Sequence, residues 1–241
     1  MKTAVITGAS RGIGAATARL FAKQGYRVAV IYSTSEAQAE NVCQEIRLAG
    51  GIAEKFCCDV TDGAAVRRTA SNVLYMFGSV DVLVNNAGIA QQKLFTSITE
   101  EDWVRMTDVH MKGAFLFSKA FVPHFIERHC GSIVNVSSIW GQTGGSCEVH
   151  YSAAKAGLIG FTKALAKEMS LSGIRVNCVC PGVIDTQMNA CFDAETRREL
   201  QNDIPLGRFG TPTEVAEAIF YLAEAKYVTG QILGVNGGYY V

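Results

Sequence analysis

Proline is scarce in this chain, 4 residues in 241, and neither sign of charge is in excess, with 22 Lys and Arg against 22 Asp and Glu. Average usage of roughly 5% Pro and roughly 7% Gly would place about 12 and about 17 in a chain of this length; 24 glycines are present instead. Little proline with surplus glycine excludes a flexible low-complexity chain and points to tight turns and close backbone approaches within regular structure. A formal net charge of zero and a pI of about 6.9 remove the electrostatic footprint that binding to nucleic acid or an anionic membrane requires. No apolar run approaches the ~18 residues of a membrane span. Met1 to Thr7 run into a glycine loop too soon to be a signal h-region, so a soluble, cytoplasmic protein is expected. The eight cysteines include no CxxC pair and no His-spaced cluster. Cys57, Cys58, Cys178 and Cys180 lie in or beside strand-like runs, so a reduced packing role is expected, with neither a disulfide framework nor a metal site.

What is present is a regular alternation. Short β-branched runs at 3–7, 27–32, 52–57, 80–84, 132–136, 174–180 and 231–235 are separated by amphipathic segments near 13–24, 35–49, 62–76, 100–128, 151–172 and 212–224. This is the pattern of βαβ units and a parallel sheet. The expected fold is therefore α/β: one doubly wound, Rossmann-type domain over 1–241, with a seven-stranded parallel sheet and helices on both faces. Residues 185–211 stand out as a long irregular insertion and are expected to be a substrate loop or lid, because structureless loops of this length are uncommon unless functional.

The first strand leads into Thr7-Gly8-Ala9-Ser10-Arg11-Gly12-Ile13-Gly14 and a helical pattern follows. A strand, glycine loop and helix in that order let the backbone approach a pyrophosphate and offer it the free N–H groups of a helix N-terminus. The spacing G-x-x-x-G-x-G is weaker evidence than the more familiar G-x-G-x-x-G, and a plain strand-to-helix turn also fits it alone. In open α/β sheets, however, ligands sit beyond the carboxyl ends of the strands. Polar or glycine clusters follow several strands at that edge: Asp59 after the third, Asn85-Asn86-Ala87-Gly88 at the fourth, Ser137-Ser138 after the fifth and Pro181-Gly182 at the sixth. Each alone could be a turn; their coincidence at one edge indicates a shared cofactor groove.

Tyr151 and Lys155 open a helix at i and i+4, which places them on one face about 5–6 Å apart at Cβ. A free phenol titrates near 10 and an adjacent ammonium favours the phenolate, so Tyr151 can serve as general acid toward a carbonyl oxygen or general base toward an alcohol. Ser138, thirteen residues earlier at a strand end, can donate a hydrogen bond to the same oxygen. An interfacial tyrosine beside a solvated lysine is the plain alternative, and the serine and the groove weigh against it.

Thr7 to Gly14, Asn85 to Gly88, Ser138, Tyr151-x-x-x-Lys155, Pro181-Gly182 and Asn236-Gly237-Gly238 together resemble the short-chain dehydrogenase/reductase family, in order from residue 3 to about 238. Ile174 to Asn177 before Pro181-Gly182, and Pro205 to Arg208 through Gly230-Gln231, look most like its 3-oxoacyl-[acyl-carrier-protein] reductase branch, whose setting is fatty acid biosynthesis. The resemblance implies hydride transfer between a nicotinamide cofactor and a carbonyl or alcohol. It makes Tyr151 the acid/base, Ser138 the group that orients the substrate oxygen, and Lys155 the group that lowers the tyrosine pKa and bonds the nicotinamide ribose. It assigns cofactor contacts to Gly8, Ser10, Arg11, Gly12, Ile13 and Gly14, to Ser33 and Thr34, to Asp59 and Val60 at the adenine, to Asn86, Ala87 and Gly88, and to Pro181, Gly182, Ile184 and Thr186 at the carboxamide.

His110 departs from the pattern, for the family usually carries asparagine there to help hold the water of a proton relay below Lys155. Imidazole can donate and accept hydrogen bonds, so a relay in altered form and a packed histidine outside any relay both fit. No acid closes the second strand to meet a 2′-hydroxyl and repel a 2′-phosphate. Tyr32 is followed by Ser33-Thr34-Ser35 and Arg11 can pair with phosphate, so NADP(H) is expected, although relatives that use it often have arginine where Ser33 stands. For the substrate, Met188, Cys191 and Phe192 within 187–205, with Ile139, Trp140, Cys147 and Val149, can line an apolar pocket for an acyl thioester, a steroid face or a small ketone. Acyl-carrier protein is acidic by family expectation; Lys93, Lys119, Arg128 and His129 could supply a basic rim, though they do not cluster in sequence. A catalytically weakened dinucleotide-binding protein is the alternative of a different class. An isomerase lacks support, because nothing implies a sugar-nucleotide site. Trp103, Phe117, Phe121 and Phe125, with the small residues Ala153, Ala154, Ala156, Gly157 and Gly160, look like more than one core needs, and the family implies a homotetramer.

Overall fold

A computed structural model describes residues 1–187 and 193–241. Its strands are β1 (Thr3–Thr7), β2 (Arg27–Tyr32), β3 (Ile52–Cys57), β4 (Val82–Asn85), β5 (Gly131–Val136), β6 (Ile174–Pro181) and β7 (Ile232–Val235). They form one sheet in the order β3-β2-β1-β4-β5-β6-β7, with every pairing parallel. Parallel strands covered on both faces read as continuous apolar runs, and here alternate side chains enter two separate cores. Val28 and Val30 face one core with Ala4, Ile6, Val82 and Val84, while Ala29 and Ile31 face the other with Val5 and Leu83.

Helices α1 (Gly12–Lys23), α2 (Glu36–Leu48) and α9 (Pro212–Glu224) cover the first face through Phe21, Ile46 and Ile219. On the second lie α3 (Gly63–Phe77), α5 (Gly113–Arg128) and α7 (Val149–Met169), through Val73, Phe121 and Met169. Local chemistry starts several of them. Thr211 and Glu214 form a capping box with Pro212 in the first turn of α9, and Thr99 with Asp102 does the same for α4 (Glu100–Thr107), each satisfying N–H groups that a helix start leaves unpaired.

Four expectations change. The segment 100–128 is not one helix, because a π-turn over Asp108–Lys112 separates α4 from α5; such wide turns interrupt the regular hydrogen-bond ladder. The fourth strand begins at Val82 rather than Val80. The Val80 carbonyl accepts from Arg128 at 2.6 Å and its N–H donates to His124 at 3.2 Å, so Val80 is bound to α5, while the Asp81 N–H donates to the Thr3 carbonyl at 2.9 Å and its carbonyl accepts from the Ser132 N–H at 3.0 Å at the sheet's margin. The insertion 185–211 is not irregular throughout. Helix α8 (Ala194–Asp203) lies within it, started by the Asp193 carboxylate accepting from the Thr196 N–H at 2.8 Å. Finally, Phe117, Phe121 and Phe125 are wholly buried in this chain's own second core, and Gly157 admits Met111, whose Cε stands 2.6 Å from where a Cβ would be. Of the aromatics thought surplus, only Trp103 is exposed.

Among the described residues no helix is long and apolar enough to cross a membrane, no cluster could hold a metal ion, and the seven described cysteines are free.

Candidate active site

Because β1 lies between β2 and β4, the loop leaving β1 meets the chain leaving β4. Thr7 laces them together: its hydroxyl accepts from the N–H groups of Asn86 and Ala87 at 2.9 and 3.0 Å, and the Asn86 amide donates to the carbonyls of Thr7 and Gly8 at 2.9 and 3.1 Å. Gly8 is left-handed, with φ +63°, and a Cβ there would stand 2.8 Å from the Ala87 Cα. At Gly14 a Cβ would lie 2.3 Å from the Gly8 carbonyl oxygen, so only glycine permits this approach of loop and helix. Helix α1 begins at Gly12 behind Arg11, with no side chain capping its first N–H groups. A bare helix start behind a cradle without side chains fits a pyrophosphate.

The other residues expected at the cofactor stand around this cradle. Thr186 lies over the loop, its Cγ2 3.7 Å from the Cβ position of Gly12. Ile13 packs against the first core, and Ser10 is half-buried. Val60 is buried, 2.8 Å from the Cβ position of Gly113, and Asp59 accepts from the Thr61 N–H and hydroxyl, both at 2.9 Å. Pro181 ends β6, and the Gly182 N–H donates to the Val235 carbonyl at 2.9 Å. Ile184 is buried and bridges to Gly210. Past β2, Ser33 and Thr34 are exposed, as is Arg11. Glu36, at the start of α2, is paired with Lys55 at 2.9 Å, and Asp59 is the exposed carboxylate after β3.

Ser138, Tyr151 and Lys155 come together where β5 ends against α7. The Ser137 hydroxyl donates to the Lys155 carbonyl at 2.8 Å, and a Cβ at Gly141 would stand 2.8 Å from the Lys155 carbonyl carbon, so strand and helix backbones nearly touch. The Lys155 ammonium is buried, donates to the Val136 carbonyl at 2.7 Å and stands 5.6 Å from the centre of the Tyr151 ring. Burial pushes the phenol up to about 12; the Ser138 hydroxyl draws it down and the charge of Glu148 adds to the rise. Burial likewise draws the ammonium down to about 8. Burial therefore outweighs any lowering of the phenol by Lys155.

His110 sits on the π-turn, buried, with its ring edge-on to Tyr151 at 5.3 Å between centres and 90° between planes. Its Nε2 is 2.8 Å from the Ile89 carbonyl oxygen and 3.2 Å from the Ile89 N–H nitrogen, so either neutral tautomer finds a partner. Burial, with the nearby Lys155 charge, holds its pKa well below the ordinary value, which makes it a neutral interior group. Its Nδ1 and the Asn85 Oδ1 are buried without a hydrogen-bond partner, and both residues line a cavity of about 10 Å³.

Sequence reasoning missed the contacts that fix the start of α7. The Gln91 amide donates to Asp102 at 2.8 Å while its carbonyl lies 2.8 Å from His150 Nε2, and the Lys93 N–H donates to the Cys147 carbonyl at 2.7 Å. The loop after β4 thus ties α4 to the turn that presents Tyr151. No local spacing in the sequence signals these contacts, which join residues 11 to 59 positions apart. The expected basic rim does not form: Lys93 is paired with Asp102 and Arg128 with Asp81, Lys119 lies over the Phe115 ring, and His129 ends α5 just before β5 begins, at the opposite edge of the sheet. Of the expected pocket residues, Ile139 is buried, Trp140 meets Tyr239 with ring centres 6.0 Å apart, and Val149 is exposed. Met188, Cys191 and Phe192 lie outside the described residues.

A glycine cradle at the switch point of a doubly wound sheet, beside a serine, tyrosine and lysine, defines a dinucleotide-dependent oxidoreductase by its class of site. The family described as enoyl-(acyl carrier protein) reductase matches residues 8–240, and the chain belongs to the short-chain dehydrogenase/reductase family, whose members bind a nicotinamide dinucleotide. It is 40% identical over 242 residues to the 3-oxoacyl-[acyl-carrier-protein] reductase FabG of Staphylococcus aureus, covering 100% of this chain and 98% of the relative. It is 42% identical over 239 residues to the FabG of Thermotoga maritima, covering 98% and 97%, and 40% identical over 240 residues to that of Chlamydia muridarum, covering 98% and 96%.

One consequence is testable without turnover. A Cβ on Gly88 would lie 2.5 Å from His110 Cε1, so Gly88→Ala is expected to lose about 1–3 kcal/mol by overpacking. In a His110→Ala background most of that loss should vanish in chemical denaturation; an equal loss in both backgrounds would show that the imidazole is not the obstacle.

Proposed function

We propose that this chain reduces the ketone of a 3-oxoacyl thioester to the 3-hydroxyacyl form, with NADPH as the hydride donor, as a step of fatty acid biosynthesis in the cytoplasm. The carrying observation is the meeting of Ser138, Tyr151 and Lys155 beside the glycine cradle, in a chain matching relatives named for that reaction over nearly its whole length. The whole chain acts as one cofactor-binding and catalytic domain, with 185–211 as the substrate lid.

The bound cofactor supplies a hydride to the carbonyl carbon. Ser138 donates a hydrogen bond to the carbonyl oxygen, and Tyr151 donates its proton as the negative charge develops there. A phenol pushed up to about 12 is fully protonated near neutral pH, and an alkoxide is a far stronger base than a phenolate, so the transfer runs downhill in the reductive direction. Lys155, drawn to about 8, stays mostly charged at pH 7 and stabilises the phenolate left behind. His110, neutral and edge-on to the tyrosine, keeps the place of the family asparagine without adding charge.

Arg11, outside every ion pair among the described residues, and the hydroxyls of Ser33 and Thr34 favour the 2′-phosphate of NADPH. A homotetramer is supported by the exposed apolar side chains Trp103, Val104, Met111 and Phe115 of α4, the π-turn and α5, next to the exposed small residues Ala153, Ala156 and Gly160 of α7. Without a basic rim, the thioester is recognised chiefly within the cleft, whether or not an acyl-carrier protein delivers it.

NADPH oxidation by an acetoacetyl thioester should be lowered at least about 10²-fold in kcat by Tyr151→Phe. Turnover only of steroids or small diketones would redirect the substrate assignment, and NADPH binding without turnover of any ketone would leave a binding protein. Arg11→Ala is expected to weaken NADPH about tenfold while sparing NADH, as for one charge-assisted bond; tighter binding of NADH by the wild type, with both affinities unmoved by Arg11→Ala, would overturn the NADPH assignment. The wild type should be active with His110 in place, and a wild type silent on every ketone but restored by His110→Asn would show that the histidine is disabling.

A further inference from the structure

Glu148 is a buried acid beside Tyr151 that the reaction leaves without a task. It stands just before α7, three residues ahead of Tyr151, at the turn that starts the helix carrying Tyr151 and Lys155. It occupies the N-cap position, yet its side chain caps nothing, and the residue is only 9% exposed. Gly145 shows where the carboxyl lies: a Cβ there would be 3.3 Å from Glu148 Oε2 and 3.1 Å from the Trp140 indole. The carboxyl and the Trp140 indole thus border the same glycine and share one wall there. Its side-chain partner is the neutral amide of Gln92, and among the described residues no cation pairs with it; burial pushes its pKa up. It is also close enough to Tyr151 for its charge to raise the phenol.

The geometry points to a charge filter: Glu148 confines the site to ketones whose neighbouring group is uncharged, 3-oxo thioesters, esters and amides, and turns away 3-oxo acids bearing a free carboxylate. This rests on Tyr151 and Ser138 as the place where the carbonyl binds. With its ketone on those residues, a 3-oxo acid brings a carboxylate within a few bonds of the reacting carbon and against the same wall. Two carboxyl groups sharing a site poor in water must either repel or force a proton onto one of them. A thioester or amide brings no charge, and the N–H of an amide arm can donate to Glu148. Lys155 makes no ion pair with Glu148: its ammonium is buried and donates to the Val136 carbonyl.

The test compares kcat/KM for acetoacetyl-N-acetylcysteamine and for acetoacetate, with NADPH, in the wild type, Glu148→Gln and Glu148→Ala. The wild type should favour the thioester strongly, and Glu148→Gln, which keeps the volume and removes the charge, should lower the thioester-to-acid ratio about tenfold or more, the effect of one unit of interaction between like charges. A ratio unchanged within about twofold in both folded variants overturns the inference. Thermal shifts of the NADPH-loaded protein with acetoacetamide and with acetoacetate pose the same question without turnover. A larger shift for the amide in the wild type, levelled in Glu148→Gln, supports the filter, and equal shifts in the wild type overturn it. The two failures stay distinct, since full turnover by Tyr151→Phe defeats the acid assignment, whereas a lost Tyr151→Phe activity with an unmoved ratio defeats only the filter.

Discussion

All of the polar groups at this site depend on one constraint, the parallel run of seven strands with β1 held between β2 and β4. Parallel strands deliver the chain that follows each of them to the same edge, and the reversal of strand order on either side of β1 opens a crevice there. Thr7 then converts proximity into a joint, because its hydroxyl accepts two backbone N–H groups from the β4 side while the Asn86 amide reaches back to the β1 side. A cofactor cradle and a catalytic helix are brought together by strand order, and no contact between the two motifs in sequence was needed.

Much of this was readable in the residues because it is local or periodic. β-branched runs such as Arg27–Tyr32 are buried on both faces, and that leaves the unbroken apolar signature by which six of the seven strand positions were placed within a residue. The i, i+4 spacing of Tyr151 and Lys155 and the glycines of the first loop are equally local. The π-turn at Asp108–Lys112 is not, because a helical pattern on either side conceals an extra residue in the ladder. Nor was the start of β4, which two long-range bonds from α5 displaced, nor the helix within 185–211, whose polar surface buries nothing. The fate of the phenylalanines of α5 was misjudged for a related reason. Composition counts aromatics, but only packing tells whether Phe117, Phe121 and Phe125 face the sheet or a partner.

Burial sets the charge state of the interior more strongly than pairing does. Tyr151 is held protonated, His110 neutral, Glu148 pushed up and Lys155 drawn down, and in each case desolvation is the leading cause. Sequence reasoning treated Tyr151 and Lys155 as a pair and expected the cation to govern the phenol. Removal from water acts on both at once, raising the phenol to about 12 and lowering the ammonium to about 8, so two groups with nearly equal ordinary values are driven apart. A tyrosine kept as an acid suits reduction, in which a proton must be given up to a strongly basic oxygen.

The balanced net charge acquires a spatial meaning from the same reasoning. Lys93, Arg128, Lys55 and Arg208 each lie against an acid of this chain, and exposed pairs of this kind contribute little to stability. Their effect here is that these cations add little net field to the surface around them. Lys93 is informative, because it stands on the loop that ties α4 to the turn before Tyr151, and Asp102 binds both it and Gln91. This cation is thus committed to holding the start of α7 in place. Beside that turn, Trp140 and the Glu148 carboxyl border Gly145, and among the described residues no cation pairs with this half-desolvated acid.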